Sequence, residues 1–256
     1  MKNHFQISPK VVKNVAPFSK ALKESYELAI DSKKNWTVMI DADLLPSPQL
    51  VVKFINKIIN RYTDSFFEGR AYVIDKFFGG PRSAGFRIYK TNLLKKAIKE
   101  IPSESVSLRP ETYTIKAMLK QGYQSSEKKD VVGLHDFEQF YEDIFRKGIA
   151  HFHKHHRYIR IFEKCWKQES QSDEDFKILL LAISFAQNVR AEDAFNKNLI
   201  NDFLDKNGIK LTEKDSSFFI TEEELNNKIK SFKTKKCYKK FKRIQKVNKI
   251  KQFFSR

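Results

Sequence analysis

Along the first half of the chain the spacing of apolar residues switches between helix and strand periods. Residues 16–30, APFSKALKESYELAI, set Phe18, Leu22, Tyr26, Ala29 and Ile30 at helical intervals and predict an amphipathic helix. Trp36 to Ile40 is apolar without alternation, which predicts a strand buried on both faces. Ser47 followed by Pro48 predicts an N-cap and a first helical position. The helix beyond carries Val51, Phe54, Ile55, Ile58, Ile59 and Tyr62 on one stripe. Residues 71–78 read as another strand, Gly79-Gly80-Pro81 as a loop, and Gly85 to Tyr89 as a short strand. Thr91 is the expected cap of a helix from Asn92 to Ile101. RPETYTIKAMLKQGY reads as a loop leading into a helix that Gly122 stops, and Val131 to Leu134 as a short strand ending at His135.

Beyond residue 136 the pattern turns helical. Asp136 is the expected cap of a long helix bearing Phe137, Phe140, Tyr141, Ile144, Phe145, Ile149, Phe152 and Ile159. A second helix is expected from near Ser172; it is apolar nearly all round from Ile178 to Phe185, which predicts burial. Residues 191–226 read as short polar helices, with TEEEL at 221 as a helix start. Strands alternating with helices predict an α/β domain over residues 1–136. An α-helical region over 137–226 and a tail over 227–256 follow.

Composition sharpens this picture. Apolar residues at 41% and aromatics at 13% exclude a disordered chain. The longest apolar run, Ile178 to Ala186, is broken by Ser184 and falls short of the roughly 18 residues that cross a bilayer. MKNHFQISPK lacks the apolar core of a secretory signal. Cys165 and Cys237 show no metal-ligand spacing and fit a reducing cytoplasm. The net charge of +18 is concentrated: residues 227–256 hold 13 Lys or Arg and no acid. The preceding 226 residues carry 36 basic and 31 acidic side chains, so the body is only mildly basic and no nucleic-acid motif stands out in it.

The candidate chemistry centres on WTVMIDADLLPSP, residues 36–48, where an apolar run ends in Asp41 and Asp43. Paired carboxylates at a strand end suit a hard divalent cation that leaves sites for phosphate oxygens. The run Ile40-Asp41-Ala42-Asp43, preceded by a helix and a hydrophobic strand, resembles the metal-binding motif of GT-A glycosyltransferases, especially family 2. GGPRSAGFRIY at 79–89 is similar to the acceptor-side loop and strand of that family, and Pro110-Glu111-Thr112 to its acidic motif. His135 is similar to the histidine that completes metal coordination in many members. The resemblance covers residues 16–136. It departs from the family where Thr112 replaces an acid after Glu111, and where only 40 residues precede Asp41. A shortened nucleotide-binding half is therefore expected, with no residue assigned to the base.

The resemblance implies a GT-A-like, Rossmann-type mixed-sheet core that moves a sugar from a nucleotide-diphosphate donor to a glycan or lipid-linked acceptor, with inversion. Asp41, Asp43 and His135 would hold Mn²⁺ or Mg²⁺, Glu111 would act as catalytic base, and Arg82, Gly85, Arg87 and Arg109 would bind substrate. The alternatives are a nucleotidyltransferase-like enzyme using the same aspartates, and a nucleic-acid-binding protein using the basic tail. In HFHKHH, His151 and His155 have a usable zinc spacing, but Lys154 and Arg157 oppose it. His156 is expected on the apolar seam with Phe145, Ile149 and Phe152. The tail interleaves Ile229, Phe232, Tyr238, Phe241, Ile244, Val247 and Ile250 with lysines, which suits an anionic membrane surface on the cytoplasmic side.

Overall fold

The computed structural model describes residues 9–61, 64–103, 106, 107, 109–137, 139–211 and 220–254, with side chains through residue 248. The Tyr62 end of the expected stripe and the side chain of Ile250 lie outside them. The chain forms two compact units: Met1–Val73 with Pro81–His135, and Ile74–Gly80 with Asp136–Arg256.

The first unit is α/β. Its strands are β1 (Trp36–Ile40), β2 (Leu44–Pro46), β3 (Phe66–Asp75), β4 (Gly80–Arg82), β5 (Phe86–Lys90) and β6 (Gln124–His135). The sheet order is β1-β5-β3-β6-β2, with β4 beside β3. β5 is antiparallel to both β1 and β3, and β2 is antiparallel to β6. β3 and β6 run the same way: Gln124 N–H donates to Ser65 O at 2.9 Å at their starts, and the Tyr72 hydroxyl donates to Glu127 farther along. The sheet is therefore mixed.

Strand alternation sends successive side chains to opposite faces. Phe67 and Tyr89 pack with Leu22 and Tyr26 of α1 (Phe18–Asp31), Leu94 of α3 (Leu94–Lys99) and Met118 of α4 (Pro110–Lys120). Phe66, Phe86 and Ile88 pack with Val51, Phe54 and Ile58 of α2 (Pro48–Ile59). Helices thus cover both faces. Ser47 caps α2, its hydroxyl accepting from Leu50 N–H at 3.4 Å.

Five local expectations change. Gly80 and Pro81, expected in a loop, open the strand β4 beside β3. β1 is an edge strand paired only with β5 among the described residues, so it is half-buried rather than enclosed, and Ile40 is exposed. The strand expected at 71–78 runs from Phe66 to Asp75 instead. Thr91 caps no helix: its buried hydroxyl hydrogen-bonds that of Thr37 at 2.8 Å, and a 3₁₀ turn, Thr91–Leu93, precedes α3. The short strand at 131–134 is the buried end of the 12-residue β6, whose polar first half is largely solvent-facing.

The second unit is helical: α5 (Tyr141–Glu169), α6 (Glu174–Ala186), α7 (Lys197–Lys206), α8 (Glu222–Ser231) and α9 (Lys236–Phe254). Ile144, Phe145, Ile149, Phe162 and Trp166 of α5 meet Leu179, Ala182 and Ile183 of α6. Gly148 permits this approach, because a Cβ there would lie 2.5 Å from Ala182 Cβ. Phe77 and Phe78 complete the core, and the Trp166 indole donates to Phe77 O at 2.7 Å. Thr221 caps α8 through a reciprocal capping box with Glu224.

Asp136 is not the cap of α5. Its φ is +69°, it is fully buried and paired with Lys147, and the helix begins at Tyr141. α5 breaks helical geometry at His155 (φ −130°, ψ 23°), which rotates its buried face. His156 is consequently exposed, off the seam, whereas His151 is buried against Phe78 with ring centroids 5.2 Å apart. Cys237, Tyr238 and Phe241 of the basic tail belong to the core. No described helix is long and apolar enough to cross a membrane.

Candidate metal centre

β1 ends at Ile40, and the chain turns at once. Asp41 N–H donates to Gly85 O at 2.9 Å, and Leu44 N–H donates back to Asp41 O at 3.2 Å. The turn feeds β2, a strand that the sequence pattern hid inside the approach to α2. In the β2–β6 register Leu44 lies opposite His135. The pairing brings the last residue of β6 against the aspartate turn: His135 Nε2 is 3.2 Å from Asp43 Oδ1. One ligand atom each from Asp41, Asp43 and His135 all lie within 4.8 Å of one another.

Two glycines make room for this arrangement. Gly85 has φ +66°, and a Cβ there would stand 3.0 Å from His135 Cδ2 and 3.6 Å from Asp41 Cβ. A Cβ on Gly133 would stand 2.4 Å from Leu45 O, so only glycine lets β2 close on β6 at that point.

The electrostatics favour a cation. Burial, then the charges of Asp43 and Glu111, push the Asp41 carboxyl up to about 6, against the opposing influence of His135 and Arg87. Asp41 as a residue retains exposed surface, which tempers the desolvation part; the two neighbouring carboxylates act in the same direction regardless. Two carboxylates and one imidazole form a donor set that fits Mn²⁺ or Mg²⁺, and a dication would relieve the crowded negative charge. These residues could hold a metal ion.

Glu111, in the first turn of α4, is held on one side. Its Oε1 accepts from the Tyr89 hydroxyl at 2.8 Å and pairs with Arg87 Nε at 2.6 Å. No described residue bonds Oε2. Arg87 also reaches the fully buried Glu68 at 2.7 Å, and Arg70 joins Glu68 at 3.1 Å. Burial opposes the charge of Arg87, but Glu111, Tyr89 and Glu68 outweigh it and hold its pKa above the ordinary value. Burial likewise raises Glu68 despite the two guanidinium groups, and burial followed by Glu111 raises Tyr89.

The structure therefore gathers Asp41, Asp43, His135 and Gly85, and places Glu111 and Arg87 within electrostatic reach of Asp41. Arg87 is committed to two carboxylates rather than open to a phosphate. Arg82 lies half-buried on β4, and Arg109 is exposed just ahead of α4; neither belongs to the ligand cluster. Tyr89 escaped because it read as strand core, and Glu68 because it lay ahead of the strand expected at 71–78; an acid directly after Phe66 and Phe67 was the available signal. His151 and His155 have ring centroids 5.7 Å apart, but they join no metal-ligand cluster among the described residues. Comparison of the chain with family models, curated proteins and solved structures finds no match in any of the three.

Proposed function

We propose that the first unit is a divalent-metal-dependent glycosyltransferase of GT-A type, acting on a nucleotide-diphosphate sugar. The observation that carries this reading is the convergence of Asp41, Asp43 and His135 at the strand ends, with Glu111 in electrostatic contact. Open α/β sheets bind ligands at such ends. A bound dication supplies charge neutralisation for a departing diphosphate. The chain's own groups do the rest. Asp41, Asp43 and His135 would hold that ion, and through it the diphosphate of the donor. Glu111 takes the proton of an acceptor hydroxyl at Oε2, while Tyr89 and Arg87 fix the other oxygen. Attack opposite the leaving group inverts the anomeric centre. A glycan or a lipid-linked sugar supplies the hydroxyl.

Thermal-shift measurements with Mn²⁺, alone and with nucleoside diphosphates, test the proposal. Mn²⁺ should raise Tm, and a nucleoside diphosphate should raise it further only in the presence of Mn²⁺. Asp41→Asn and Asp43→Asn should abolish both effects. Failure of a nucleotide-sugar panel to be hydrolysed or to stabilise the protein with Mn²⁺ would overturn sugar transfer. Release of pyrophosphate from a nucleoside triphosphate would assign nucleotidyl transfer to the same residues.

A further inference from the structure

The structure divides the basic tail into an anchor and a free face. At the anchor, Lys235 N–H donates to Gly79 O at 2.8 Å, and the Lys235 ammonium pairs with Glu169 at 2.7 Å. Cys237, Tyr238 and Phe241 are buried, with Phe241 against Phe162 at 5.1 Å and Tyr158 at 5.0 Å. Farther along, Asn248 donates to the Tyr158 hydroxyl at 3.3 Å, so α9 is fastened along α5. At 100° per residue the buried positions 237, 238 and 241 define one side of α9. Lys239, Lys240, Arg243 and Lys246 then fall on the other side, and all four are exposed. Val247, 49% exposed, shares that side. No acid occurs anywhere from 227 to 256.

We propose that this face of α9 docks the protein on an anionic lipid surface. The occupant follows from what the face presents. It holds the cations Lys239, Lys240, Arg243 and Lys246 and the aliphatic Val247 on one helix. Cations mixed with apolar residues suit the headgroup boundary of a membrane. Among the described side chains of α9, the aromatics that a single-stranded nucleic acid would stack on, Tyr238 and Phe241, are spent inside the core. Anchoring removes the ordering cost that a disordered tail would bear on binding. The proposal does not depend on the reaction assigned to the first unit.

Co-sedimentation of the full chain with phosphatidylcholine vesicles, with and without phosphatidylglycerol, tests it. The protein should bind the mixed vesicles and not the neutral ones, and added salt should weaken binding. The quadruple variant K239Q/K240Q/R243Q/K246Q should bind about 100-fold or more weakly, since each cation near the headgroups contributes about a fivefold factor. A charge-matched control, K95Q/K99Q/K116Q/K120Q, should bind as the parent does. Equal loss in both variants would reduce the effect to net charge and overturn the proposal. So would tighter binding of an oligonucleotide than of anionic vesicles at the same salt. Circular dichroism and melting of both variants establish that they fold.

Discussion

The carboxyl of Asp41, pushed up to about 6, makes both stability and metal capture depend on pH. Its folded value lies above the ordinary 3.8, so the metal-free fold binds this proton more tightly than the unfolded chain does. That stabilisation is fully present below the ordinary value and is lost as pH rises through about 6. Metal binding must displace the proton, so Mn²⁺ affinity measured by calorimetry should climb as pH rises through about 6. Asp41→Asn should remove both the slope and most of the affinity. Arg87 poses the opposite problem. It neutralises Glu68, which has no exposed surface, so Arg87→Met leaves a buried carboxylate with Arg70 as its remaining partner. Urea unfolding should show a loss of about 3–5 kcal/mol. Gly85→Ala should cost about 1–2 kcal/mol through its positive φ alone, and should also weaken Mn²⁺ binding because the new methyl crowds His135.

At the level of elements, the candidate centre depends on a strand of three residues. β2 has no periodicity of its own, yet its pairing with β6 brings His135 to Asp43. Gly133→Ala drives a methyl into Leu45 O, so it should separate the two strands and lower Mn²⁺ affinity at least as much as stability. Slowed or lost metal response in a variant that still melts cooperatively is the expected result. The sequence made the helices α1, α2, α4 and α6 legible because each carries an apolar stripe or an apolar run, joined in α2 by the Ser47 cap and in α4 by the Gly122 stop. It made the aspartate turn legible because two carboxylates end an apolar run. It hid β2, the polar half of β6 and the edge position of β1, since those depend on which strand pairs with which. It also hid the break at His155, where a residue of ordinary helical composition leaves helical geometry and carries His156 out to solvent. Tyr89 and Arg87 alternate along β5 as any strand residues would, and only the fold reveals Glu111 beside both.

Across the whole molecule, charge and core overlap in the last stretch of chain. Residues 227–256 look like a soluble cationic extension by composition, yet Phe241 is 4% exposed and packs among Phe78, Tyr158 and Phe162. Phe241→Ala should destabilise the protein by about 3–5 kcal/mol, a value typical of core truncation and far above that of a surface change. Cys237 lies beside Cys165 in the same region. Burial, then its neighbour, push its thiol up to about 12, so native protein should resist iodoacetamide at Cys237 until it is unfolded. The segment Ile74–Gly80 adds a topological consequence. It belongs with Asp136–Arg256 although Met1–Val73 and Pro81–His135 flank it, so the backbone passes between the units at 73/74, 80/81 and 135/136. No single protease nick can release either unit whole. A fragment starting at residue 136 would lack Phe77 and Phe78 and the carbonyl that receives the Trp166 indole. A synthetic peptide spanning residues 74–80 should complement such a fragment in trans. Any recombination that transplanted the helical half into another chain would have to carry that short detour along with it.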